Sequence, residues 1–193
     1  LQALDFVIDN SRIFENDLIA RELGILAVRL IGLSSYDPAL QSLWELFTVD
    51  DNRTVRIEVL SAVADLAPVD PRLVKNLNRW LSGQNDLLRV GEEVALDVVE
   101  EAIVTLGKIG DDSSFPVLFT VSILGGSDDI DTKARDALYS IEGDFQELIL
   151  RVVEENPLAE KLEALRIGFS NIDLTDSAKG QIAEVALESG LNG

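Results

Sequence analysis

Apolar residues recur along this chain at steps of three and four, the period of a helix with one face turned to a core, and not at every second position as in a strand. The pattern is clearest over residues 92–109, where Val94, Val98, Ala102, Leu106 and Ile109 share a face. Gly110 follows the last of them, as a left-handed residue just past a helix should. Asp111, Asp112 and Ser113 then offer N-cap oxygens to a next helix, with Pro116 in a first turn that needs no N–H there.

The same reading predicts about eleven helices and no strand. Residues 1–9 carry Leu4, Val7 and Ile8 at helical spacing, and residues 18–31 form a strong helix closed by Gly32. Asp37 and Pro38 pair a cap with a proline to open 37–48, and Asp50, Asp51 and Asn52 turn and cap a helix over 55–67 that Pro68 stops. Asp70 and Pro71 open 71–81, with 82–89 as a longer link to 92–109. Helices over 114–124, 130–141, 145–155 and 158–169 follow, with Gly143 as a stop and Asp144 and Asn156-Pro157 as starts. Thr175 or Asp176 caps a last helix running to residue 187. Short connections predict antiparallel neighbours.

A small residue stands in the middle of every second helix: Ala27, Ala62, Ala102 and Ala137, separated by 35, 40 and 35 residues. A fifth copy centres on Ala164, and the extra five residues fall in the 82–89 link. Self-similarity at this period predicts an all-α superhelix, a solenoid of five to six stacked antiparallel helix pairs, because one pair is too thin to bury its own apolar face. Within it, residues 51–67 (DNRTVRIEVLSAVADLA) and 102–118 (AIVTLGKIGDDSSFPVL) resemble the HEAT family, in particular the short bacterial repeats of phycobilisome-lyase type. Val55-Arg56 matches the Val-Arg of that pattern, and Leu106-Gly107-Lys108-Ile109-Gly110-Asp111 its helix stop. The third unit departs from it at Val94-Ala95 and the fourth at Ile130-Asp131, so the arginine that bridges neighbouring turns in the family is missing there. Trp44 and Trp80 lack the neighbours that a tetratricopeptide repeat requires.

Composition narrows the function classes. Hydrophobic residues make up 47% of the chain and aromatic ones 6%, so leucine, valine, isoleucine and alanine do the packing. There is no cysteine and no histidine, which removes disulfides, thiolate ligands, imidazole ligands and the commonest general base. A net charge of −19 opposes phosphate backbones and anionic lipid, so neither nucleic acid nor a membrane is an expected partner. No apolar run approaches the ~20 residues of a membrane span, and no targeting segment is visible. The expectation is a single HEAT-like repeat domain over 1–193, excised from a longer chain, in the cytoplasm or the periplasm.

Candidate chemistry is sparse. The acidic turns at Asp50-Asp51, Asp111-Asp112 and Asp128-Asp129 lack the glycine and the twelfth-position glutamate of a calcium loop and read as helix caps. Glu92-Glu93, Glu100-Glu101 and Glu154-Glu155 point about 100° apart on a helix and read as solvated faces, not acid–base pairs. Gly107 and Gly110 have neither the preceding strand nor the lysine of a phosphate loop. Trp44, Phe47 and Trp80 sit at core spacing.

What remains is a mixed, mostly acidic stripe on the second helices. Thr54, Glu58, Ser61 and Asp65 fall together at steps of four, three and four. The repeat offset adds Val98, Glu101 and Thr105, then Lys133, Asp136 and Ser140, with Glu160 and Glu163 extending the row. The protein-binding set is thus Glu58, Ser61, Asp65, Glu101, Thr105, Lys133, Asp136, Glu160 and Glu163. It points to a non-catalytic protein-binding scaffold without cofactor or metal, which uses the concave face that second helices line in a HEAT-like solenoid and whose partner presents a basic surface. The resemblance also implies a bilin-lyase-like or other ligand-binding or assembly role. It argues against the iron-binding hydroxylases of the family, which need histidine, and against its DNA glycosylases, which need a basic groove. Leu18, Leu23, Leu26 and Leu30 make an apolar first helix, as at an end that stacks on further repeats or on another chain.

Overall fold

A computed structural model of the chain describes residues 18–34, 37–66, 70–124 and 127–190. The expected helix over 1–9, the stop at Pro68 and the glycines at 125–126 lie outside these residues. Among the described residues there are ten α-helices, two short 3-10 turns and no strand. The helices are α1 (Leu18–Leu33), α2 (Leu40–Val49), α3 (Arg53–Asp65), α4 (Pro71–Arg89) and α5 (Leu96–Ile109). They continue with α6 (Phe115–Leu124), α7 (Asp128–Tyr139), α8 (Phe145–Glu155), α9 (Leu158–Ser170) and α10 (Asp176–Gly190). None of them is long and apolar enough to cross a membrane.

Several helix ends form as their residues dictate. The Asn52 side chain accepts from Val55 N, Asp70 from Arg72 N ahead of Pro71, Ser127 from Ile130 N, Asp144 from Glu147 N, and Thr175 from Ala178 N. Each of these satisfies an N–H that has no partner inside the helix. Gly110 closes α5 at φ 73°, a conformation that other residues adopt only with strain.

Other ends differ from the sequence reading. Asp37 and Pro38 enter a 3-10 turn, and α2 begins after Ala39 without a side-chain cap. Asn156 does not cap α9, whose N-cap is Pro157; its side chain instead donates back to the Val152 carbonyl at 3.0 Å. Residues 92–95 precede α5 and do not belong to it. The supposed link at 82–89 is helical, so α4 runs for 19 residues where α2 and α6 each have 10. Inside it, buried Asn85 donates to the Val117 carbonyl of α6 at 3.1 Å.

Gly32 is no stop. It lies within α1, where an added Cβ would come 3.0 Å from Cα of Ala62 in α3. Gly107 in α5 meets Ala137 of α7 in the same way, an added Cβ falling 2.9 Å from its Cα. Between these two contacts, Thr105 of α5 donates to the Leu60 carbonyl of α3 at 3.1 Å. The buried positions set the register: Val55, Val59, Ala62 and Val63 of α3 correspond to Val98, Ala102, Thr105 and Leu106 of α5, and these to Ile130, Ala134, Ala137 and Leu138 of α7. Ala27, Val59, Ala102 and Ala134 are the matching positions, 32, 43 and 32 residues apart. They replace the 35, 40 and 35 expected from the alanines. The eleven extra residues of the long step are about three turns at 3.6 residues each, which the longer α4 accommodates without changing its angular phase.

Every substantially packed pair of helices is adjacent or next but one in the chain, and no such pair links α7 forward to α8 or α9. The second helices α1, α3, α5 and α7 form one series, and α2, α4 and α6 another. The core between them is leucine, valine, isoleucine and alanine, as composition predicts. Phe47 is buried between half-buried Trp44, stacked at 5.1 Å, and Trp80, edge-on at 5.1 Å. Arg56 fastens this end: its Nε donates to the carbonyls of Phe47 (3.1 Å) and Asp50 (2.8 Å), and its guanidinium pairs with Asp51. At the matching positions stand Val99 and Asp131, so the arginine is not repeated.

Gly107→Ala should destabilise the protein by about 1–3 kcal/mol, because the methyl meets backbone that cannot yield. Gly83→Ala in α4, with nothing within 4 Å of its added Cβ, should stabilise by about 0.5–1 kcal/mol. Urea unfolding with an unchanged m-value would check both; equal midpoints would refute the close approach.

Candidate functional site

The outward side of α1, α3, α5, α7 and α9 carries most of the charged residues that sequence analysis selected. On α3 the steps of four, three and four hold: Thr54 and Asp65 are exposed, and Glu58 and Ser61 half-buried. The α5 row differs. Thr105 is fully buried and bonded to Leu60, and Val98 is 1% exposed, so neither reaches the surface. Under the 43-residue step the solvent side of α5 is Asp97, Glu101, Val104 and Lys108. On α7, Asp136 and Ser140 are exposed and Lys133 half-buried, and on α9 Glu160 and Glu163 are half-buried.

Much of this surface is paired between helices. Arg29 of α1 grips Glu58 of α3 with both arms of its guanidinium, Nε lying 2.7 Å from Oε2. Glu100 of α5 pairs with Lys133 of α7, so Glu100-Glu101 is more than a solvated face. Arg53 lies 3.9 Å from Asp97. Glu163 is held within α9 by Arg166, whose Nε is 2.8 Å from Oε2. The partners of Glu58, Glu100 and Asp97 lie on a neighbouring helix and were not legible from spacing within a helix.

Two glutamates on this side titrate in opposite directions. The hydrogen bonds from Arg29 hold the Glu58 carboxyl below the usual range. Loss of solvent pushes Glu101 up, and like charge on Glu100 and Glu58 adds to it, against the opposing pull of Lys108 and Lys133. Asp131 on α7 is also raised by burial, as is the Tyr139 phenol, which donates to the Ile167 carbonyl of α9 at 3.1 Å.

On the opposite side, a groove of about 190 Å³ lies between the start of α6 and α8, lined by Asp112, Ser113, Pro116, Asp144, Glu147, Leu148 and Arg151. Drug-sized ligands use clefts of about 300–1,000 Å³ with apolar walls. Among the described residues, no group of three or more acidic side chains is placed to hold a metal ion. Three of the acidic turns do serve helix starts: Asp50 accepts from Asn52 N at 2.8 Å, Asp111 from Ser113 N at 3.0 Å, and Asp128 and Asp129 sit in the first turn of α7. Comparison with known proteins finds no family model and no curated protein that matches this chain.

The two shifted glutamates give opposite pH signatures. Glu58, depressed, contributes stability at neutral pH that is lost as pH falls through its lowered value. Glu101, raised, costs stability when ionised, and acid removes that cost. At pH 7, Glu58→Gln should therefore destabilise and Glu101→Gln stabilise, each by about 0.5–1 kcal/mol. Both differences should vanish well below the ordinary glutamate value of about 4.3. Urea titrations at a series of pH values would check the signs.

Proposed function

We propose that the chain is a HEAT-like solenoid acting as a non-catalytic scaffold, which binds a protein partner through the acid-rich outward side of its second helices. Packing of helices with their near neighbours in the chain supports the solenoid reading.

The observation that carries the binding reading is the division of labour on this side. Glu58, Glu100 and Glu163 are engaged by arginine or lysine, whereas Asp65 and Asp136 stand out in solvent. A partner is met by the outward carboxylates, and with a net charge of −19 that partner carries a basic surface. A ligand-binding or lyase-like role on the same fold draws no support from the small polar groove between α6 and α8.

The paired Asp65→Lys and Asp136→Lys substitutions should reduce capture of the partner at least tenfold in quantitative affinity capture from source lysate, with wild-type capture falling as salt is raised. Proteins retained equally by both forms would refute this surface.

An assembly role is the second reading. It rests on the row Leu23, Leu26, Leu30 and Leu33, each at least half exposed on α1. Light scattering should then report a multiple of the 21.1 kDa chain mass, and Leu26→Glu with Leu30→Glu should restore the monomer. A wild-type monomer at high concentration would refute it.

A further inference from the structure

The series of close second-helix contacts ends at α7. The position that corresponds to Gly107 of α5 is Tyr139, 32 residues on. Where Gly107 lets α7 approach to backbone contact, Tyr139 interposes a ring whose hydroxyl donates to the Ile167 carbonyl of α9. The consequence extends across the whole section. No helix of the group α1 to α7 enters substantial backbone packing with α8, α9 or α10, although packing is dense on either side. On the first side, Thr105 to Leu60, Arg29 to Glu58 and Asn85 to Val117 tie the layers together. On the second, α8 and α10 are joined by Gln146 to Gln181 and by Ser189 to the Val153 carbonyl.

Besides the Tyr139 hydrogen bond to Ile167 and the apolar core that continues from one side to the other, two kinds of contact cross the seam. One is an aromatic cluster, with Phe145 of α8 packed 5.8 Å from Phe115 and 5.8 Å from Tyr139. The other is the connecting segment of residues 140–144, where Glu142 N donates to the Gly110 carbonyl at 2.7 Å and Gly143 sits at φ 121°. On the second-helix side, the polar groups are mismatched. Asp131 Oδ1 and Arg135 Nε are enclosed and make no hydrogen bond. Facing them on α9, Glu163 and Arg166 are paired with each other. Asp131 feels the charge of both. Tyr139 bonds a carbonyl 28 residues on, and Glu163 is the same 28 residues from Arg135, so one register aligns both contacts.

We propose that this seam is a hinge between two rigid bodies, α1 to α7 and α8 to α10. It closes by exchanging the Glu163–Arg166 pair for two pairs across the seam, Arg135 with Glu163 and Asp131 with Arg166. An enclosed donor and acceptor without partners are costly, and closure satisfies both. The aromatic cluster is the pivot, because rings can slide past one another while staying out of water. The inference rests on this packing and not on the partner-binding reading.

The absence of cysteine makes spin labelling direct. Labels on Thr54→Cys and Ser177→Cys span the seam, and labels on Thr54→Cys and Thr132→Cys lie within one body. Pulsed dipolar distances should be at least twice as broad across the seam as within the body, with a shorter and a longer population. Arg135→Gln with Arg166→Gln should lower the shorter population at least threefold. If that variant loses its helical circular dichroism, wild type in 1 M salt, where screening reaches about 3 Å, must show the same loss. Equal widths in the two labelled pairs would overturn the hinge. A shorter population unmoved by either treatment would overturn the exchange of pairs.

Discussion

The distance between one second helix and the next governs this molecule, and it is set by whether a side chain stands between the two backbones. Gly32 against Ala62 and Gly107 against Ala137 allow an approach that any added Cβ would obstruct. Close approach brings the flanks of adjacent helices within reach of each other, which is why Arg29 meets Glu58 and Lys133 meets Glu100. Where Tyr139 takes the small residue's place, the approach ends, and Asp131 and Arg135 are left enclosed without hydrogen-bond partners at those atoms. Small residues at Gly32 and Gly107 thus allow the close approach of α1 to α3 and of α5 to α7.

Secondary structure was largely legible, because it depends on local chemistry. Periodicity found every helix among the described residues, and the caps at Asn52, Asp70 and Asp144 followed from their oxygens. Gly32 was misread because glycine near the end of an apolar run has two uses, stopping a helix and admitting a neighbour. Only the identity of the neighbour separates them. The length of α4 was misread for a related reason. Ser82, Gly83, Gln84 and Asn85 look like a loop by propensity, yet Asn85 is bonded to the Val117 carbonyl of α6, and tertiary contact overrides a weak local preference.

The repeat register shows how a small error propagates. Aligning the visible alanines set Ala62 against Ala102, whereas packing sets Ala62 against Thr105. A shift of three residues on a helix is most of a turn, so Glu58, Ser61 and Asp65 share a flank of their own helix while their projection onto α5 fell on buried Val98 and Thr105. Thr105 is the instructive case. A threonine on an otherwise apolar face reads as surface by residue type, but its hydroxyl is spent on the Leu60 carbonyl and its methyl on the core. Composition cannot distinguish a polar group that is solvated from one that is satisfied internally.

The charge of the chain acquires a different meaning once the pairs are known. With 35 acidic and 16 basic residues, a random placement would leave most of the basic ones beside some carboxylate by chance. Yet two on the second helices hold particular partners: Arg29 a glutamate of the next second helix, and Lys133 a glutamate of the preceding one. Exposed pairs of this kind add little stability individually. Their stronger effect is on which carboxylates remain available. Glu58 and Glu100 are paired by residues of neighbouring helices, and Asp65 at the end of α3 projects outward. Any surface this chain presents to a basic partner is therefore narrower than its net charge suggests, and its shape follows from the spacing of the layers beneath it. A change in that spacing at the seam beside Tyr139 would displace the carboxylates of α9 relative to those of α7, linking the packing of the interior to the geometry of the charged face.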